Sequence, residues 1–186
     1  MVSIKLITLK TIRNKEQYLV IMNNMFGEYE VDLRYDLKGS TKGRTTKFVD
    51  GEEPDRTVAL KDNNFISENN PFMLDHQERA HLLDTLRKAS DFLGVSQILD
   101  YSALVGVVNL EKRRKLLRHR MIDPDDPIVD LLKDNPDKPP YRGMYFSKDK
   151  NYLYIVGVID TLTNYTKKKR VEYLYKRMIG NGLRMS

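Results

Sequence analysis

Three aspartates stand where an apolar, strand-like run meets something polar, and a lysine beside one of them adds the opposite charge. Asp36 lies in the stretch in which Val31, Leu33, Tyr35 and Leu37 alternate with Asp32, Arg34, Asp36 and Lys38. A period of two puts Asp36 and Lys38 together on the polar face of a strand. Asp100 opens a polar turn to Ser102 that leads into the apolar run Ala103 to Val108, and Asp160 closes the apolar run Tyr152 to Ile159. A carboxylate at the end of a strand buried on both faces is costly unless it is paired or bound to metal. Two or three acids and one ammonium meet the needs of metal-assisted phosphoryl transfer, which is mostly positioning and charge neutralisation. The same residues have plainer readings. Asp160 would cap a following helix, Asp100 would make an Asx-type bond to Ser102, and the three could equally be unrelated surface acids.

Beyond Lys38 the chain reads Gly39, Ser40, Thr41, Lys42, Gly43, Arg44, a small, hydroxyl-rich and basic turn that favours a polyanionic neighbour. The histidines suggest no chemistry. His76, His81 and His119 have no partner at metal-ligand spacing, and the first two, five apart, face different sides of a helix.

The elements that must position these groups are strands interleaved with one good helix, an α+β order. Tyr18 to Met22 is a continuous apolar run read as a buried strand with a polar exit at Asn23 and Asn24, and Thr41 to Pro54 reads as an exposed loop. Leu82, Leu86, Ala89 and Leu93 recur at helical spacing, Asp75 and Glu78 resemble a capping box, and Gly94 is placed to end the helix. The basic and proline-rich residues 111–150 are expected to form a flexible surface excursion. After Asp160, Val171, Leu174, Tyr175 and Met178 give the basic segment an apolar stripe.

Bulk properties narrow the partners. The 186-residue chain carries a net charge of +6, which points to nucleic acid, phosphate ligands or an acidic membrane surface. No helix-turn-helix, zinc-finger or RRM signature accompanies that charge, so nucleic acid is not expected. The absence of cysteine excludes disulfides and thiolate metal sites. No run approaches the roughly 20 apolar residues of a membrane span, and the N-terminus offers no clean signal core. The expectation is a cytoplasmic protein, peripheral at the cytosolic face of membranes.

Three of these stretches resemble motifs of the phosphatidylinositol phosphate kinases, in that family's order: YDLKGSTKGR (Tyr35 to Arg44), LDYSALVGV (Leu99 to Val107) and GVIDTLTNYTKKKRVEYLYK (Gly157 to Lys176). IMNNMF (Ile21 to Phe26) and LKDNNF (Leu60 to Phe65) are similar to the family's hinge and to a linking segment. The resemblance covers nearly the whole chain, and its DLKGSxxxR pattern is the most specific part. It implies a partial kinase-like fold, the end of an N-lobe plus a C-lobe, using ATP with Mg²⁺ on an inositol phospholipid. By position Asp100 matches the catalytic aspartate, Asp160 the metal-binding aspartate, and Asn23 and Asn24 the nucleotide hinge. Asp36, Lys38 and Arg44 match the DLKGSxxxR positions.

Lys168, Lys169, Arg170, Glu172 and Lys176 match the family's activation loop, which the resemblance implies sets lipid preference. Glu172 resembles the phosphatidylinositol 4-phosphate 5-kinases and the 3-phosphate 5-kinases, and the MNN hinge and the GST turn favour the 4-phosphate enzymes. Glu172 also stands at i,i+4 from Lys168 and Lys176, pairs worth about 0.2–0.5 kcal/mol each on a helix. Lys167 to Arg170, Lys176 and Arg177 would each add up to about 1 kcal/mol beside an anionic leaflet. Ala103 and Tyr173 replace a usual leucine and histidine. The chain begins shortly before the hinge, without the family's glycine-rich loop and ATP-binding lysine, so the isolated chain is expected to be inactive or nearly so. The alternative from another class is a non-catalytic module that binds phosphoinositide membranes or a kinase partner.

Overall fold

The computed structural model describes residues 4–10, 16–47, 55, 57–68, 72–134, 139 and 141–161. Strand β1 (Ile4–Lys10) pairs antiparallel with β2 (Glu16–Met22), from Ile4 opposite Met22 to Lys10 opposite Glu16. The apolar run at 18–22 is thus a strand, but not a buried one at its end: Ile21 and Met22 are each 52% exposed. One neighbouring strand covers an edge and leaves the faces to be filled by other elements.

A second, five-stranded sheet has the order β4-β3-β5-β7-β6. It comprises β3 (Leu33–Leu37), β4 (Leu60–Lys61), β5 (Ser102–Asn109), β6 (Met144–Phe146) and β7 (Tyr152–Ile159). All neighbours are antiparallel except β3 and β4. Valine, leucine and tyrosine are the commonest residues of these strands, and valine and tyrosine suit a pleated, largely covered surface. One face contributes Tyr35, Val105, Val107, Tyr145 and Tyr154 to a core shared with Leu60 and Leu82, edged by Phe65 and Phe72. Val108, Leu153 and Ile155 join a second core with Phe26, Val31, Leu110 and Val129. Gly106 allows this second core to close. A Cβ there would lie 2.5 Å from the Phe26 ring and 2.8 Å from Val31.

Helix α1 (Asp62–Ser67) follows β4 directly. Helix α2 (His76–Val95) begins as its sequence requires, with Asp75 accepting from the Glu78 N–H at 2.8 Å. Its end differs from expectation, because Gly94 lies inside the helix. The left-handed residue is Gln97 (φ 54°), and the Ile98 N–H reaches back to the Leu93 carbonyl at 2.9 Å. This C-terminal turn therefore meets its positive φ with a glutamine three residues later.

The expected excursion at 111–150 is corrected more fully. Helices α3 (Leu110–Arg118) and α4 (Pro127–Asp134) and strand β6 all lie there. They bury Leu110, Arg113, Ile128, Val129, Leu131, Met144, Tyr145 and Phe146. The acidic, proline-rich stretch is a helix start: Pro127 opens α4, and Asp126 accepts from the Ile128 N–H at 2.9 Å. Among the described residues no helix is long and apolar enough to cross a membrane.

Candidate active site

Strand register gathers the aspartates at one end of the five-stranded sheet. Leu37 pairs with Ala103, and Ser102 pairs with Ile159. The end of β3, the start of β5 and the end of β7 therefore lie side by side, carrying Lys38, Asp100 and Asp160. Asp100 and Asp160 are both left-handed, at φ 62° and 60°. Aspartate tolerates this region better than most residues, and such positions concentrate at functional sites. The premise of a buried Asp160 fails, since Asp160 is exposed and β7 is only half-buried from Val156 onward. Asp100 is exposed too. Desolvation is thus no argument for metal at either residue, and what remains is their shared location and backbone conformation.

Lys38 lies one residue beyond β3 and turns its Nζ onto the Asp100 carbonyl oxygen at 2.8 Å. Its backbone is fixed from the opposite direction. The Asp62 carboxylate, buried at the first position of α1, accepts from the backbone N–H groups of Lys38 at 3.1 Å, Gly39 at 2.8 Å and Ser40 at 3.3 Å. It also accepts from Arg44 Nε at 2.8 Å. Burial pushes the Asp62 carboxyl up, but the Arg44 guanidinium and the amides outweigh it and hold the group below its ordinary value.

Arg44 bridges two acids. Its Nη2 lies 3.1 Å from Asp36 Oδ2 and also donates to the Asp36 backbone carbonyl. Burial works against its charge, and the bonds to Asp62 and Asp36 more than compensate, raising its basicity. The next two residues of LKDNNF grip the same loop. Asn63 donates to the Thr41 carbonyl at 2.8 Å, while Asn64 accepts from the Thr46 N–H at 2.8 Å and donates to the Thr46 carbonyl at 3.0 Å.

Of the predicted residues, then, Lys38 and Asp100 touch directly, and Asp160 stands on the adjoining strand end. Asp36 and Arg44 pair with each other. Asn24 is occupied locally: its Oδ1 accepts from the Phe26 N–H at 3.1 Å and its Nδ2 donates to the Gly27 carbonyl at 3.0 Å. With Asn23, Met25, Tyr29, Ile155 and Gly157 it lines a pocket of 480 Å³, within the range of small-molecule sites. A larger groove of 1020 Å³ between α2 and the β6–β7 edge holds none of the predicted site residues. His76, His81 and His119 are exposed, as expected. Lys168, Lys169, Arg170, Glu172 and Lys176 lie outside the described residues. Asp62 is the residue that sequence reasoning passed over. Its signal was four consecutive polar side chains, Lys61 to Asn64, between the apolar Leu60 and Phe65.

Among the described residues, no group of three or more histidines and acids is placed to hold a metal ion. Mg²⁺ in phosphate chemistry is usually held by one or two carboxylates together with substrate phosphates, so a preassembled cage is not required. An exposed aspartate at the end of β7 fits that donor set.

Residues 2–186 match the model of a family described as phosphatidylinositol-4-phosphate 5-kinase. The chain is 30% identical over 174 residues to phosphatidylinositol 4-phosphate 5-kinase of Plasmodium falciparum (isolate 3D7), covering 88% of this chain and 10% of the relative. It is 28% identical over 188 residues to mouse phosphatidylinositol 5-phosphate 4-kinase type-2 alpha, covering 87% and 46%. The human type-2 beta 4-kinase is 26% identical over 198 residues, covering 89% and 47%. The chain thus spans less than half the length of these relatives.

Proposed function

Because the chain belongs to the phosphatidylinositol phosphate kinase family, we propose that it carries the phosphate-transferring and lipid-binding part of an ATP-dependent lipid kinase acting on phosphatidylinositol 4-phosphate at the 5-position. The observation that carries this reading is the meeting of Lys38, Asp100 and Asp160 at one end of the sheet, with the Lys38 ammonium against the Asp100 carbonyl. Positioned cations and acids are what phosphoryl transfer requires of a protein.

In this reading Asp100 is the catalytic aspartate that orients the inositol hydroxyl and accepts its proton. Asp160 is the ligand for Mg²⁺, which supplies charge neutralisation on the transferred phosphate when bound. Lys38 lies where an ammonium meets phosphate oxygens. The pocket lined by Asn23, Met25 and Gly157 takes the adenine. Asp36 and Arg44 hold the Lys38 to Arg44 loop in shape and do not handle phosphate themselves, given that each already pairs with the other. Lys168, Lys169, Arg170, Glu172 and Lys176 select the lipid, and the fold is the end of a kinase N-lobe with a C-lobe. The protein works at the cytosolic face of membranes, held peripherally by its basic segment.

The relatives include enzymes named for each ring position, so the 5-position rests on Glu172 and the hinge and turn residues. The experiment that tests the reading follows γ-phosphate from MgATP into vesicles of phosphatidylinositol 4-phosphate or 5-phosphate, over hours because slow turnover is expected. Transfer to the 4-phosphate lipid that is lost in Asp160→Asn supports it. Equal transfer above background by wild type and variant contradicts it.

A further inference from the structure

We propose that Asp62 is a positioning residue for phosphate transfer, setting the place of the Lys38 ammonium by holding the backbone from Lys38 to Ser40; this rests on the lipid-kinase reading above. The contacts of its carboxylate run in one direction. It accepts from three successive amides of the turn and from Arg44 of the same loop. Its side chain is only 8% exposed, so it is a built acceptor and not a surface acid that happens to lie near. The Lys38 side chain then spans from this fixed backbone to the Asp100 carbonyl at 2.8 Å. Asp62 and Asp100 thus hold the two ends of one residue, and the chain from α1 to the start of β5 runs through Lys38.

The chemistry of the carboxylate explains the residue type. Four converging donors need an acceptor with several lone pairs and no proton of its own, which an ionised aspartate supplies. An asparagine would turn an NH₂ toward one of those donors. The turn would then shift, and a displacement of about 1 Å in a catalytic group costs about 10²-fold in rate. A purely structural role for Asp62 would lower stability and leave per-molecule turnover of the folded protein unchanged.

The test uses the full chain with Asp62→Asn, Asp62→Glu and Lys38→Met. Lys38→Met defines, by NMR, the ¹³C shift of the Asp100 carbonyl when the ammonium contact is lost. Asp62→Asn is expected to reproduce that shift while the β5 and β7 amides stay as in wild type. Asp62→Glu, which keeps the charge but lengthens the arm, is expected to move it in the same direction should Asp62→Asn not fold. In vesicle assays the kcat of the folded variant is expected to drop 10- to 100-fold with KM for lipid within about threefold. An Asp100 carbonyl at its wild-type shift in the folded Asp62 variants overturns the proposal, as does an unchanged kcat. Should transfer persist unchanged in Asp160→Asn, the lipid-kinase reading falls by itself, and the carbonyl shift alone decides whether Asp62 places Lys38.

Discussion

The ammonium of Lys38 donates to the backbone carbonyl of Asp100 at 2.8 Å, across 62 residues of sequence. The bond joins the end of β3 to the turn that begins β5, and it points the only side-chain charge of this pair that can meet phosphate oxygens into the sheet end where Asp160 also stands. Lys38 is exposed, so the bond contributes little to folding, about 1 kcal/mol or less. In the proposed function its value lies in catalysis. Lys38→Met is expected to leave the unfolding free energy within about 1 kcal/mol and to reduce phosphate transfer by about 10²–10³-fold, the usual cost of one preorganised donor. Denaturant titration and the vesicle assay measure the two effects on the same preparation.

Asp62 makes stability depend on acid pH. Its folded carboxyl sits below the ordinary value of 3.8, so its contribution is fully present above that value and is lost as pH falls through the lower, folded one. Wild type is therefore expected to lose stability below about pH 4. Asp62→Asn is expected to lack this component of the acid limb while being less stable near pH 7, where removing one partner of a buried pair costs about 3–5 kcal/mol. Urea titrations at a series of pH values between 3 and 7 check both.

Gly106 predicts a steric penalty against Phe26 and Val31. The Cβ of an alanine would meet the Phe26 ring at 2.5 Å and Val31 at 2.8 Å, and neither is the free end of a long flexible side chain. Gly106→Ala is expected to destabilise by about 1–3 kcal/mol. At Gly157 the clash is with Met25 Sδ, which can swing away. Gly157→Ala is expected to cost less stability and to weaken nucleotide binding more, because Met25 and Gly157 line the pocket proposed to take the adenine. Unfolding and nucleotide titrations of the two variants side by side check this ordering.

Ser102 is 2% exposed, and its Oγ has no hydrogen-bond partner among the described residues. A buried hydroxyl left unpaired is a desolvation cost without return. Ser102→Ala is expected to leave stability unchanged or to raise it by up to about 1 kcal/mol, as thermal unfolding would show.

Much of this site was legible in the sequence because its strands carry local signals. The alternation through Val31–Leu37 and the apolar runs before Val108 and Ile159 locate β3, β5 and β7, and their polar ends locate Lys38, Asp100 and Asp160. Asp75 likewise declares the start of α2. The rest depended on long-range contacts. Asp62 looks like any acid at a helix start until a turn 22 to 24 residues earlier folds onto it. The charged stretch around α3 and α4 looked solvated because its buried positions are few, yet Leu110, Val129 and a buried Arg113 anchor it. Arg113 does so by reaching Glu30 and Asp32, far away in sequence. Gly94 misled because a positive φ was met by Gln97 instead.

The most direct test is transfer of the ATP γ-phosphate to phosphatidylinositol 4-phosphate in vesicles, with wild type and Asp160→Asn compared in Mg²⁺. The expected result is slow formation of phosphatidylinositol 4,5-bisphosphate by wild type, none by the variant, and little product from the 5-phosphate lipid. Product formed equally by both proteins would contradict a phosphate-transferring role for the Lys38, Asp100 and Asp160 cluster.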